Sequence, residues 1–368
     1  MTTPLTQLAR HEVQQLTAYN AGLSSEEVQR RYAVKRVVKL ASNENPLGLS
    51  PLASAAINET ATTCHFYPDA ECSLLRQTLA NKLAIDANRF IFGNGSEDLI
   101  SIISKVFLDH GDEVVTVVPS FGLHILAPIT CGAEVKTVPM QEDMQFDVAG
   151  IIKAIGPRTR LVMFSCPSNP VGSALKASEL QVILDAIPNH CLLIFDEAYY
   201  EYASNQPDYP NCLALLEQSQ KAFILLRTFS KAYALAGLRI GYGIVSDSSL
   251  AILIDKVRNP FNVNRLAQIA AVAALQDGQH LQKSIRLVEK ERNNMLLALN
   301  KRGYCPIPSY ANFLFFATKQ PADKVAEHLL KHGVVIKPWK EAGYTHYVRV
   351  SIGSEQDNKL FLAALDTL

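Results

Sequence analysis

Cys191–Tyr202 reads CLLIFDEAYYEY, an apolar run of strand length that stops abruptly at Asp196 and Glu197. Bounded in this way, it reads as a buried strand that delivers an acid at its C-terminal edge, which is where open α/β sheets bind ligands. Three more runs have the same character: EVVTVVP from Glu113, RLVMFSC from Arg160 and AFILLR from Ala222. They alternate with helical patterns, the signature of a parallel α/β sheet with covering helices. That core spans about Arg36 to Pro260. Beyond it come helical stretches, RLAQIAAVAALQ and a charged segment around Arg286 to Leu299, and then the short strands NFLFFAT and YVRVSIG, an α+β pattern. The expected division is an N-terminal segment 1–35, an α/β domain 36–262 and a smaller C-terminal domain 263–368.

Composition narrows the function classes. A chain of 368 residues with 48% hydrophobic content exceeds the size at which one core usually stops growing. Lys+Arg 35 against Asp+Glu 35 leaves no basic field for nucleic acid or an anionic membrane. Seven cysteines without CxxC spacing point to reduced thiols, and the histidines show no ligand pattern, so no metal is expected. The N-terminal MTTPLTQLARHEVQQL lacks a signal-peptide core, and no apolar run approaches the ~20 residues of a membrane span. A cytoplasmic location is expected.

Chemistry concentrates in Arg227–Tyr242, RTFSKAYALAGLRIGY, where Lys231 follows Ser230 and precedes Arg239 in otherwise uncharged sequence. A free lysine is protonated at neutral pH, so covalent carbonyl chemistry needs neighbours that depress its pKa. Ser230 and Arg239 are also suited to holding a phosphate. GNGSEDLISIISKVF, from Gly93, sets Gly95, Ser96 and Glu97 ahead of an amphipathic helix, whose N-terminus behind a glycine turn is an anion site. CPSNPVG, from Cys166, marks a tight turn that exposes Asn169. Taken singly, each has a plainer reading: a surface lysine, a turn glycine at Gly95, a core phenylalanine at Phe121, a capping aspartate.

In order, GNGSE, PSFG, PSNPVG, DEAYYEY and FSKAYALAGLRIGY resemble the fold-type I aminotransferases that use pyridoxal 5′-phosphate, and within them the histidinol-phosphate aminotransferase family; ASNENPLG and VRVSIG extend the match over nearly the whole chain. The resemblance implies a large domain with a mostly parallel seven-stranded sheet, a small C-terminal α+β domain, and a homodimer with shared active sites. It assigns the Schiff-base link and proton transfer to Lys231, and the partner of the protonated pyridine nitrogen to Asp196. Asn169 and Tyr199 match the donors to the cofactor's phenolate oxygen. Ser96, Glu97, Ser230 and Arg239 match the phosphate site, with Tyr67 reaching it from the other subunit. Phe121 falls where the family stacks an aromatic ring on the pyridine face.

The segment HYVRVSIG alternates, with Tyr347, Arg349 and Ser351 on one side and the valines on the other. By resemblance Arg349 pairs with a substrate carboxylate, while Asn45 and Asn312 line the substrate pocket. Some relatives carry a second arginine where this chain has Lys337, beside its only tryptophan, Trp339. The implied reaction is transfer of an amino group from histidinol phosphate to 2-oxoglutarate with ping-pong kinetics. An aromatic amino donor, and a decarboxylase resembling the threonine-phosphate decarboxylases, stay open as alternatives.

Overall fold

The computed structural model describes residues 5–14, 16 and 23–368. Its strands are β1 (Val38–Lys39), β2 (Phe90–Gly93), β3 (Glu113–Val118), β4 (Glu134–Pro139), β5 (Thr159–Ser165), β6 (Leu192–Asp196), β7 (Phe223–Thr228), β8 (Gly241–Val245), β9 (Phe313–Ala317), β10 (Val334–Val335), β11 (Lys337–Pro338) and β12 (Tyr347–Ser351). Seven form one sheet in the order β2-β8-β7-β6-β5-β3-β4, in which β8 alone runs antiparallel to its neighbours. The four apolar runs become β3, β5, β6 and β7, buried because helices cover both faces, as parallel sheets require. The register sets Ser165 level with Asp196 at the C-terminal edge, so the acid of CLLIFD emerges where the loops converge.

The helix Ser96–Phe107 follows β2 and buries Leu99, Ile100, Ile102 and Ile103 against the sheet. It begins at Gly95, whose φ of 85° few other residues tolerate. The C-terminal unit is an antiparallel sheet, β11-β12-β9, backed by the helices Gly278–Lys301, Ala322–Lys331 and Glu355–Leu365. In β12 the alternation holds: Val348 and Val350 enter the apolar cluster around Phe313 and Phe316, whereas Tyr347 stacks on Phe315.

Segments near the ends of the two units pack across the seam between them. Val38 pairs with Val334 in a separate two-stranded sheet, β1-β10, and Val38 and Leu40 join the C-terminal cluster, so the chain packs with the C-terminal unit before it enters the large sheet. The helix Arg265–Gln276 buries its alanines against the large-sheet core, since small side chains allow close approach to the helices Pro51–Thr60 and Ser73–Leu83. Upstream, Tyr32 of the N-terminal segment reaches Glu327, and Arg36, just after that segment, reaches Asp357, both in the small unit. Among the described residues, no helix is long and apolar enough to cross a membrane.

Candidate active site

The C-terminal edge of the large sheet and the small unit enclose Lys231. Its ammonium donates to the Ser42 carbonyl at 3.2 Å and lies 5.7 Å from the Tyr199 ring centroid. Burial, then the charges of Arg349 and Arg239, lower its pKa to about 8, against the pull of Glu97 and Glu44. A neutral, nucleophilic amine is therefore accessible near physiological pH.

Asp196 is 4% exposed. Its Oδ1 accepts from the Ala198 amide at 3.0 Å, and its Oδ2 lies 3.3 Å from His124 Nε2, so the carboxylate is fixed on both oxygens. Phe121 meets the His124 ring edge-on at 5.6 Å. Tyr199 packs edge-on against Phe313, and its hydroxyl accepts from Asn43 Nδ2 at 2.9 Å. Burial pushes this phenol up to about 12, which keeps it a neutral donor. Asn169 Oδ1 accepts from Arg349 Nη1 at 2.6 Å, and Arg349 Nη2 donates to the Ala41 carbonyl at 2.7 Å.

Ser96 and Arg239 come together around Gly95 and Gly241, and Thr228, level with Gly241, holds Ser230 nearby. A Cβ on Gly95 would sit 2.4 Å from Arg239 Nη2, and one on Gly241 would sit 2.5 Å from the Ser96 amide nitrogen. The two glycines thus let a guanidinium and the start of a helix pack close to the backbone, and helix amides and dipole together with that charge favour an anion. Ser230 is buried and its hydroxyl accepts from Thr228 at 3.0 Å. The Glu97 carboxylate pairs with Arg239 at 3.1 Å.

Asn45 and Asn312 are turned to the backbone. Asn45 Nδ2 donates to the Ala232 carbonyl and Ser284 Oγ, and its Oδ1 accepts from the Leu47 amide. Asn312 Nδ2 donates to the Asn43 carbonyl at 2.9 Å. Lys337 faces Arg349 across the β11/β12 ladder, and burial and that neighbouring arginine lower its pKa. Trp339 donates its indole N–H to Glu341, which also accepts from the Ser120 amide; this ties the small unit to the residue before Phe121. Tyr67 is 78% exposed and contacts Phe261 and Arg265 rather than the residues round Lys231.

Sequence reasoning missed Asn43 and His124. Asn43 stands two residues before Asn45 in ASNENP and was discernible there as a second asparagine of the same turn; nothing local marks His124.

Pyridoxal phosphate is aldehyde, phosphate and pyridine in one molecule, and the amine of Lys231, the helix start at Gly95 and the fixed carboxylate of Asp196 are chemically suited to those three groups. The fold is of the doubly wound α/β type, with a lysine desolvated by burial beside the C-terminal edge of its sheet. A match to the family described as aminotransferase class I and II runs over residues 35–365, and the chain belongs to that family. It is 47% identical over 361 residues to histidinol-phosphate aminotransferase 1 of Mesorhizobium japonicum, covering 98% of each chain. It is 44% identical to histidinol-phosphate aminotransferase 3 of Rhizobium meliloti, over 97% of this chain and 96% of that one. The crystal structure of histidinol-phosphate aminotransferase from Sinorhizobium meliloti in complex with pyridoxal-5′-phosphate superposes with a TM-score of 0.88 at 29% identity, covering 97% of this chain and 96% of that one.

Proposed function

We propose that the chain is a pyridoxal-phosphate-dependent histidinol-phosphate:2-oxoglutarate aminotransferase that works as a homodimer with shared active sites. The observation that carries this is the 47% identity, over 98% of both chains, to an enzyme of that name. The site's chemistry supports it.

When bound, the cofactor supplies an electron sink for the charge that develops at the substrate Cα. Lys231 would hold it covalently and would move the proton to and from Cα, roles that suit an amine with a pKa of about 8. Asp196, oriented by His124 and the Ala198 amide, would hold the pyridine nitrogen protonated. Asn169, its oxygen already taken by Arg349, would offer its NH2 end, with the neutral Tyr199 hydroxyl, to the phenolate oxygen. Ser96, Ser230, Arg239 and the backbone at Glu97 would hold the phosphate, joined by Tyr67 from the second subunit. Phe121 would cover one face of the ring and exclude water from it. Arg349 would receive the carboxylate of glutamate or 2-oxoglutarate in bidentate fashion. Lys337 adds a second positive charge for a substrate's distal phosphate.

The test is a panel of amino donors, histidinol phosphate among them, assayed against 2-oxoglutarate, with borohydride reduction and peptide mapping of the modified lysine. Turnover of histidinol phosphate and a reduced adduct on Lys231 are expected. Ready turnover of phenylalanine or tyrosine, and none of histidinol phosphate, would remove the substrate assignment; an adduct elsewhere would remove the catalytic one.

A further inference from the structure

Outside the site just described, one buried carboxylate has an oxygen without a hydrogen-bond partner among the described residues. Glu201 is 7% exposed, and among the described residues its Oε2 receives no hydrogen bond. Burial raises its pKa to about 7, against the opposing charges of Arg227 and Lys82. It lines a cavity of about 140 Å³ between the helix Ser73–Leu83, the short helix Tyr200–Ala203 and the helix Gly278–Lys301.

The other charges at this cavity are accounted for. Arg227 is bound through Nε and Nη2 to Glu197 Oε2 at 2.9 and 2.8 Å and lies 3.4 Å from the centroid of Tyr200. Lys82 stands at the exposed rim and donates to the Leu275 carbonyl at 3.5 Å. Tyr233 and Tyr242 are held neutral, their pKa values raised by burial. What remains is an acceptor that an N–H donor of positive charge would satisfy, beside aromatic rings that attract cations and an apolar wall of Leu79 and Leu281.

We propose that this cavity is a binding site for a small organic cation with N–H donors, which closes onto the Glu201 carboxylate. A cavity of roughly 150 Å³ accepts a benzene-sized molecule, so five or six heavy atoms fit. Among the described residues no cluster of three acidic, histidine or cysteine side chains could hold a metal ion, which favours a ligand that brings its own donors.

The probe is methylguanidinium, which does not form imines with the cofactor, titrated calorimetrically into the holoenzyme at pH 8, with N-methylurea as its neutral counterpart. Saturable binding of methylguanidinium, roughly tenfold or more tighter than N-methylurea, is expected. Glu201→Gln should abolish that preference, Lys82→Met should strengthen cation binding by removing a rival charge, and Leu281→Trp should fill the cavity and block both probes. Equal affinity for the two probes, no binding at millimolar concentration, or undiminished binding in Leu281→Trp overturns the proposal, even if Glu201→Gln fails to fold.

Discussion

The free amine of Lys231 should titrate far below an ordinary lysine, and the apoprotein allows this to be read without any cofactor. With a pKa of about 8, roughly one amine in ten is neutral at pH 7. At the ordinary value of 10.5 the neutral fraction would be about one in three thousand, so the site gains roughly 300-fold in reactive amine. Burial contributes most, and the charge of Arg349 comes next. Competitive acetylation of the apoprotein across pH 6 to 11, with the Lys231 peptide quantified by mass spectrometry, should show reactivity that climbs to about pH 8 and levels off. In Arg349→Met the midpoint should move upward but stay below 10.5, because desolvation is left in place. Reactivity that keeps rising through pH 10 in the wild type, as at surface lysines, would refute the reasoning, and an unmoved midpoint in Arg349→Met would remove the arginine from it.

Glu197 and Arg227 are both buried and form a pair joined by the Tyr209 hydroxyl; Glu197→Gln strands the guanidinium and should cost about 3–5 kcal/mol in urea unfolding, a penalty expected to shrink in Glu197→Leu/Arg227→Met. Gly95→Ala forces a Cβ against Arg239 at φ 85° and should weaken pyridoxal phosphate binding to the apoprotein by the roughly 1–3 kcal/mol of such strain; an unchanged dissociation constant in equilibrium dialysis would show the cradle to be elsewhere. Arg349→Ala should slow the glutamate half-reaction by the ~2–5 kcal/mol of a truncated buried charge pair while largely sparing single-turnover reaction with histidinol phosphate, which bears no carboxylate on its amine carbon. Mixing inactive Lys231→Ala and Tyr67→Asp subunits should restore partial activity through one intact hybrid site; a fully active monomer in sedimentation would contradict the shared-site reading.

How much of this was legible in the sequence follows from how each part is held. β3, β5, β6 and β7 were readable because strands buried on both faces become unbroken apolar runs. β4 was not, since EVKTVP lies at the sheet edge and is largely solvated, nor was β2, whose four residues carry no period. The two-residue strands β1, β10 and β11 are set by the packing of distant segments and have no local signature. Lys231, Asp196 and the Gly95 turn were legible because each sits in a short motif whose geometry is local. His124 gains its place only when the helix after Phe121 folds beneath the end of β6, which nothing in PSFGLH specifies.

The segment 41–45 shows most clearly what a motif conceals. ASNENP drew attention to Asn45 as a pocket residue, yet successive positions of that turn each engage a different part of the site. The Ala41 carbonyl accepts from Arg349, the Ser42 carbonyl from Lys231, and the Asn43 carbonyl from Asn312. The Asn43 side chain meanwhile binds Tyr199 and Ser351, and Asn45 fastens the turn to Ala232 and Ser284. Arginine, lysine and tyrosine, drawn from both units, are therefore registered against one another by a single stretch of backbone that carries no reactive group itself. Spacing within the chain could not disclose this, because the residues so joined are up to 308 positions apart. The asparagines fall where a carboxamide can donate and accept at once, which is what a turn bridging two folding units requires.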